Sequence, residues 1–120
     1  MSNLKAPTPV GPYSMFRYLS DNSDWVMAGS IPIDPISGEL NNDTIQMEVT
    51  QVFDNIEAVL ADNGKTLVDI KKFTVFLMDL TSTPLVNAEI EKRIKGKYPA
   101  RSTIQVAGLP MGARVEIECL

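Results

Sequence analysis

Histidine is absent from the 120 residues, and cysteine occurs once, at position 119. The first absence removes Ser-His and Cys-His nucleophilic pairs, imidazole metal ligands and the usual neutral-pH proton shuttle. The second rules out an intrachain disulfide and a thiolate metal cage. Cys119 reads as a small buried hydrophobe in a terminal strand. No metal or other cofactor is expected. Basic runs are scarce too: Lys and Arg never occur more than two in a row, and the net charge is −4. Binding to nucleic acid rests largely on neutralising phosphates, so no nucleic-acid partner is expected. No apolar run is long enough to span a bilayer, so no membrane association is expected, and no repeat shows. Met1 to Lys5 lacks the apolar stretch of a secretory signal, which makes a cytoplasmic location the default. Whatever chemistry occurs falls to carboxylates, Arg, Lys, hydroxyls and the backbone.

What is present fits one domain over residues 1–120, built around one core. Ala6 to Ser14 holds Pro7, Pro9, Gly11 and Pro12 and reads as an extended lead-in. Phe16 to Leu19 and Trp25 to Ala28 read as short strands, and the turn formers Ser20 to Asp24 suggest a hairpin. Asp34-Pro35-Ile36-Ser37-Gly38 is a further turn. From Thr44 the period changes. Ile45, Val49, Val52, Phe53, Ile56, Val59 and Leu60 recur at three- and four-residue steps, one face of a helix. Asp43 is placed to cap it with Gln46 reaching back, and Asn63-Gly64 to stop it. Thr66 to Asp69 suits a single capped turn and Lys71 to Met78 a strand, while Thr83-Pro84 starts a second helix reaching about Lys95. Arg101 to Ala107 and Ala113 to Cys119 alternate as strands, with Gly108 to Gly112 as the turn between them. The order ββ-α-β-α-ββ defines an α+β fold, a mixed sheet with two helices packed on one face.

Period-two alternation sorts the last two strands into faces. Ile104, Val106, Val115 and Ile117 fit beneath the helices, leaving Arg101, Thr103, Gln105, Arg114, Glu116 and Glu118 on the other face. An uncovered face in so small a domain is either solvated or buried against another subunit. The residues alone leave both readings open. One is a wet surface with scattered ion pairs. The other is a cleft in which a register placing Thr103 beside Glu116 brings a cation and a carboxylate together.

Several stretches carry a resemblance: Val10 to Ser14, Gly29 to Pro35, Gly38-Glu39-Leu40, Asn55-Ile56 with Ala58-Val59-Leu60, Thr74 to Asp79, Pro99 to Ala107, Leu109-Pro110 and Val115 to Glu118. In that order, along nearly the whole chain, they resemble the Rid (YjgF) family of reactive-intermediate deaminases. Pro99-Ala100-Arg101-Ser102 and Val115-Glu116-Ile117-Glu118 carry most of the specificity. The resemblance implies a chorismate-mutase-like fold and a homotrimer with sites in clefts between subunits. It also implies hydrolysis of 2-aminoacrylate and related enamines and imines, released by pyridoxal-phosphate enzymes, to 2-keto acids and ammonia. That is the chemistry of a 2-iminobutanoate/2-iminopropanoate deaminase. At the matching positions, Arg101 binds the substrate carboxylate and Glu116 positions or activates water. Tyr13, Gly29, Asn87 and Thr103 line the family's pocket, through ring packing, backbone hydrogen bonding, amide hydrogen bonding and a hydroxyl contact, respectively.

That chemistry suits the residue inventory. A guanidinium offers a planar fork to a carboxylate, and an imine carbon is already electrophilic, so no covalent nucleophile is needed. The chain departs from the family at several places. Met15-Phe16 stand where Gln-Ala is usual, Ala28 and Ser30 flank Gly29 where Ser and Gln are common, and Thr103 replaces a frequent Cys. The stretch from Asn87 to Tyr98 is shorter than usual. These changes imply an altered pocket and substrate range, with Arg101 and Glu116 retained. A non-catalytic trimer that binds small carboxylates such as 2-keto acids through Arg101 is the alternative from another class. Ribonuclease activity, a label carried by some relatives, fits an acidic, histidine-free chain poorly. Chorismate-mutase activity would rest on fold analogy alone.

Overall fold

The three- and four-residue spacing after Thr44 produces the longest element. The computed structural model describes residues 5–19 and 24–120, and in it helix α1 spans Ile45–Asp62. It buries Val49, Val52, Phe53, Ile56, Val59 and Leu60, the stripe that 3.6 residues per turn stacks on one side. Its cap is Thr44, not Asp43. Thr44 is extended (φ −136°, ψ 158°), and its hydroxyl accepts from the Met47 amide at 3.1 Å. Gln46 does not reach back but donates to Thr50 Oγ1. The helix stops where expected, at Asn63 followed by Gly64 with φ 71°.

Strands β1 (Phe16–Tyr18) and β2 (Trp25–Met27) pair antiparallel, Phe16 opposite Met27 and Tyr18 opposite Trp25. Most of the expected turn between them, residues 20–23, lies outside the described residues. Strand β3 is Lys72–Leu77, preceded by the expected turn in which Thr66 and Asp69 cap each other. Helix α2 is Thr83–Arg93. It begins one residue earlier than Thr83-Pro84 suggested, because a 3₁₀ turn over Leu80–Ser82 runs directly into it. Ser82 takes the cap position, and the Thr83 hydroxyl donates to the Leu80 carbonyl at 2.6 Å. The chain ends with β4 (Ala100–Gln105) and β5 (Val115–Cys119). Among the described residues no helix is long and apolar enough to cross a membrane.

The order of the three-stranded sheet is β4-β3-β5, with β3 parallel to β4 and antiparallel to β5. This corrects the expected turn between β4 and β5: Gly108 to Gly112 belongs to a connection that carries the chain from one edge of the sheet to the other. The apolar strand β3 takes the centre, where both of its ladders are covered. The polar strand β4 stays at the edge, reached from β3 through α2 as a parallel pair requires. The two sheets meet where Ser30 exchanges backbone hydrogen bonds with Ile117, at 2.7 and 3.0 Å.

Register decides the faces, since side chains of paired residues project to the same side. Phe73 aligns with Arg101 and Cys119, Val75 with Thr103 and Ile117, and Leu77 with Gln105 and Val115. Phe73, Val75, Leu77, Val115 and Ile117 share one core with α1 and α2, with the Phe53 and Phe73 rings edge-on at 5.8 Å. The expected burial of Val115 and Ile117 therefore holds, and the assignment of β4 inverts. Arg101, Thr103 and Gln105 lie on the helix side. Ile104, 44% exposed, lies with Phe76, Glu116 and Glu118 on the uncovered side. Alternation states only that neighbours point opposite ways. On this edge strand the helix layer runs out, so long polar side chains on the inward face still reach solvent.

Candidate functional site

Arg101 is the second residue of β4, and its Nη1 donates to Asn87 Oδ1 at 2.5 Å. Asn87 sits in the first half of α2, half-buried. The bond fixes one corner of the guanidinium and leaves its other N–H groups for a ligand. Both residues line a groove of about 440 Å³ with apolar walls from Phe73, Ile90, Tyr98 and Pro99. Thr103 follows on the same strand face, half-buried, and Gln105 accepts from the Leu80 amide at 3.0 Å. One half of the expected site is thus assembled: a cation held by an amide at the mouth of a groove.

The other half lies across the sheet. Glu116 aligns with Phe76 on the uncovered face and is half-buried. Burial first, and the neighbouring charge of Glu118 second, hold its carboxyl above the ordinary carboxylate range. Its carboxylate rests on the backbone of Gly29. A Cβ there would collide with Glu116 Oε2 and stand 2.9 Å from its Cδ. Close approach, rather than a left-handed backbone, is what calls for glycine at this position. Tyr13 lines a small hollow with Gly29, Met15 and Ala28. It is 45% exposed, and its hydroxyl accepts from the Val10 amide at 3.4 Å. Tyr13, Gly29 and Glu116 therefore form a second group.

The two groups do not meet within one chain. Arg101 aligns with Phe73 and Glu116 with Phe76, on opposite faces and three residues apart along β3, about 10 Å at 3.3 Å per residue. Strand β3 also separates β4 from β5, so the register placing Thr103 beside Glu116 is corrected: Thr103 pairs with Val75, and beyond Val75 lies Ile117.

Two supporting residues had no role in the sequence reading. Asn55 is buried within the apolar face of α1 and donates to the carbonyls of Ile31 and Ile33 at 3.2 and 2.8 Å. It thereby anchors the segment that carries Gly29. A lone amide among Val52, Ile56 and Val59 is the signal that could have found it. Glu48, fully buried, accepts from the Arg114 amide at 2.8 Å and from its guanidinium. This clamps the chain two residues before Glu116. Arg114, expected on the polar sheet face, instead turns to α1, because the buried carboxylate requires a counter-charge. Arg93 similarly ties α2 to α1 through Asp54 and Glu57, and also pairs with Glu89 on its own helix.

The sequence model of the family described as Endoribonuclease L-PSP matches residues 3–120. The human protein named 2-iminobutanoate/2-iminopropanoate deaminase is 36% identical over 120 residues, covering 100% of this chain and 86% of the relative. The crystal structure of RidA from the Antarctic bacterium Psychrobacter sp. PAMC 21119 superimposes with a TM-score of 0.88 at 34% identity, covering 99% of this chain and 97% of that one. The structure of E. coli TdcF with bound serine has a TM-score of 0.84 at 33% identity, covering 96% and 91%. The chain belongs to the Rid (YjgF) family, with its chorismate-mutase-like fold.

Proposed function

We propose that the protein hydrolyses small reactive enamines and imines of the 2-aminoacrylate type to 2-keto acids and ammonia, at sites completed between copies of the chain in a homotrimer. The observation that carries the reading is the Arg101 guanidinium, fixed by Asn87 at the mouth of a groove. The name of the human relative and the amino acid bound to E. coli TdcF point to the same carboxylate-bearing class of ligand. Assembly is supported by three features. The two residue groups sit on opposite faces, β4 is an edge strand whose unpaired backbone invites a neighbour, and the uncovered face presents Ile104 and Phe76.

In this reading Arg101 binds the carboxylate through two parallel N–H bonds, and Thr103 offers a hydroxyl beside it. An enamine first takes a proton on carbon and gives up one from nitrogen, becoming the imine. Water then adds to the imine carbon, the C=N electron pair moving to nitrogen, which is protonated. Collapse of the resulting carbinolamine expels ammonia and leaves the 2-keto acid. Glu116 of a neighbouring copy takes the water's proton and returns it to nitrogen. Its raised carboxyl brings proton exchange nearer working pH. Gly29 supplies backbone beside Glu116, and the Tyr13 ring packs on the ligand.

The experiment generates 2-aminoacrylate with a pyridoxal-phosphate lyase and follows its decay. Acceleration by wild type and its loss in Arg101→Ala are expected. No acceleration by wild type, or equal acceleration by the variant, contradicts the proposal. A second reading, non-catalytic binding of small carboxylates, is favoured by one observation: the Arg101–Asn87 grip is complete without Glu116. Binding of a 2-keto acid with no turnover of any imine would select it.

A further inference from the structure

The groove beside Arg101, about 440 Å³, falls in the range of pockets that hold ligands much larger than a three-carbon acid. Its lining changes character along α2. Asn87, Ile90 and Glu91 stand at i, i+3 and i+4, so one helix face presents the partner of Arg101, then an apolar wall, then a carboxylate. Glu91 lies one turn beyond Asn87, about 6 Å along the axis, comparable to a stem of three or four methylenes. Glu91 and Tyr98 are exposed at that end. The neighbouring Glu89 is buried and tied to Arg93 and Lys92. Lys95 donates to the main-chain carbonyl of Glu91 at 3.1 Å rather than to its side chain. Among the described residues the Glu91 carboxylate has no ion pair within 4 Å.

Resting on Arg101 as the carboxylate grip, we propose that this groove is a side-chain subsite for 2-imino and 2-keto acids whose apolar stem ends in a cation, with Glu91 selecting the charge. The stem packs along Ile90 and Pro99, and the Tyr98 ring gives the cation a second favourable neighbour. The class of reaction that supplies such a ligand is oxidation or elimination at the α-carbon of a basic amino acid.

Titration calorimetry on the full chain tests the subsite with two probes. One is a 2-keto acid ending in a guanidinium on a three-methylene stem, the other an uncharged straight-chain 2-keto acid of equal length. Wild type is expected to bind the cationic acid about fivefold more tightly, the size of an exposed ion pair. Glu91→Gln brings the ratio to about one, and Glu91→Lys carries it below one. Equal affinities in wild type, or a ratio unmoved by Glu91→Gln, overturn the subsite, as does no measurable binding of the cationic acid. Arg101→Ala separates the two ideas. Loss of both acids in that variant, with equal affinities in wild type, overturns the subsite and leaves the grip. Retention of both acids there overturns the grip, while the wild-type ratio and its response to Glu91→Gln still decide the subsite.

Discussion

Replacing Gly29 with alanine puts a methyl group where the Glu116 carboxylate lies. The new Cβ would collide with Oε2, stand 2.9 Å from Cδ and 3.2 Å from Cγ. All three atoms belong to the outer part of a side chain that can rotate, so the backbone need not yield. The stability cost is therefore small, about 1 kcal/mol, the lower end for an added methyl group in a packed site, or a fall in Tm of roughly 3–6 °C for a chain of this size. The carboxylate itself must move by about 1 Å, and a misplacement of that size costs on the order of 100-fold in rate. Scanning calorimetry and the 2-aminoacrylate assay should therefore separate: Gly29→Ala melts close to wild type and turns over about 100-fold more slowly. In a Glu116→Gln background the same substitution should change the rate little, because the group it displaces is already disabled. A rate within threefold of wild type, or an equal loss in the Glu116→Gln background, would refute the coupling between the two residues.

Glu116 also sets a pH dependence. Its folded carboxyl is raised, chiefly by burial, so as pH rises the unfolded chain loses this proton first. The stability tied to the group is present below the ordinary carboxylate value and is lost between that value and the raised one. Glu116→Gln should accordingly melt higher than wild type at pH 7, with the gain disappearing as pH falls below the ordinary range; a gain independent of pH from 3 to 8 contradicts this. Asn55→Ala removes the donor from the carbonyls of Ile31 and Ile33. Urea unfolding should show a loss of about 1–3 kcal/mol for these unsatisfied buried groups, and a loss below about 0.5 kcal/mol would mean the anchor is dispensable.

The course of α1 was legible because eighteen residues of regular spacing repeat the same message at every turn. The β1–β2 pairing and the Thr66 turn were also legible, since each rests on local chemistry. What failed was non-local. Nothing along the chain states that β3 stands between β4 and β5, because strand order depends on which apolar surface finds the centre and on how α2 crosses the sheet. The face of β4 failed for a related reason. Arg101, Thr103 and Gln105 read by alternation as the face turned from the helices, yet the ladder to Phe73, Val75 and Leu77 turns them toward the helices. The candidates Arg101 and Glu116 were singled out by the Pro99 to Ser102 and Val115 to Glu118 blocks, but how the candidate residues group in space was not legible. Arg101 with Asn87, and Glu116 with Gly29, became visible as two separate pairs only once register was known.

That separation gives the most direct test of a site shared between copies. Arg101→Ala and Glu116→Gln chains, each inactive alone, are co-expressed in equal amounts and assayed as mixed assemblies. If Arg101 of one copy works with Glu116 of the next in a ring of three, about one site in four receives both intact residues. Recovery of roughly a quarter of wild-type turnover is the expected result. Activity no greater than the sum of the two variants assayed separately would contradict a site built across the subunit boundary.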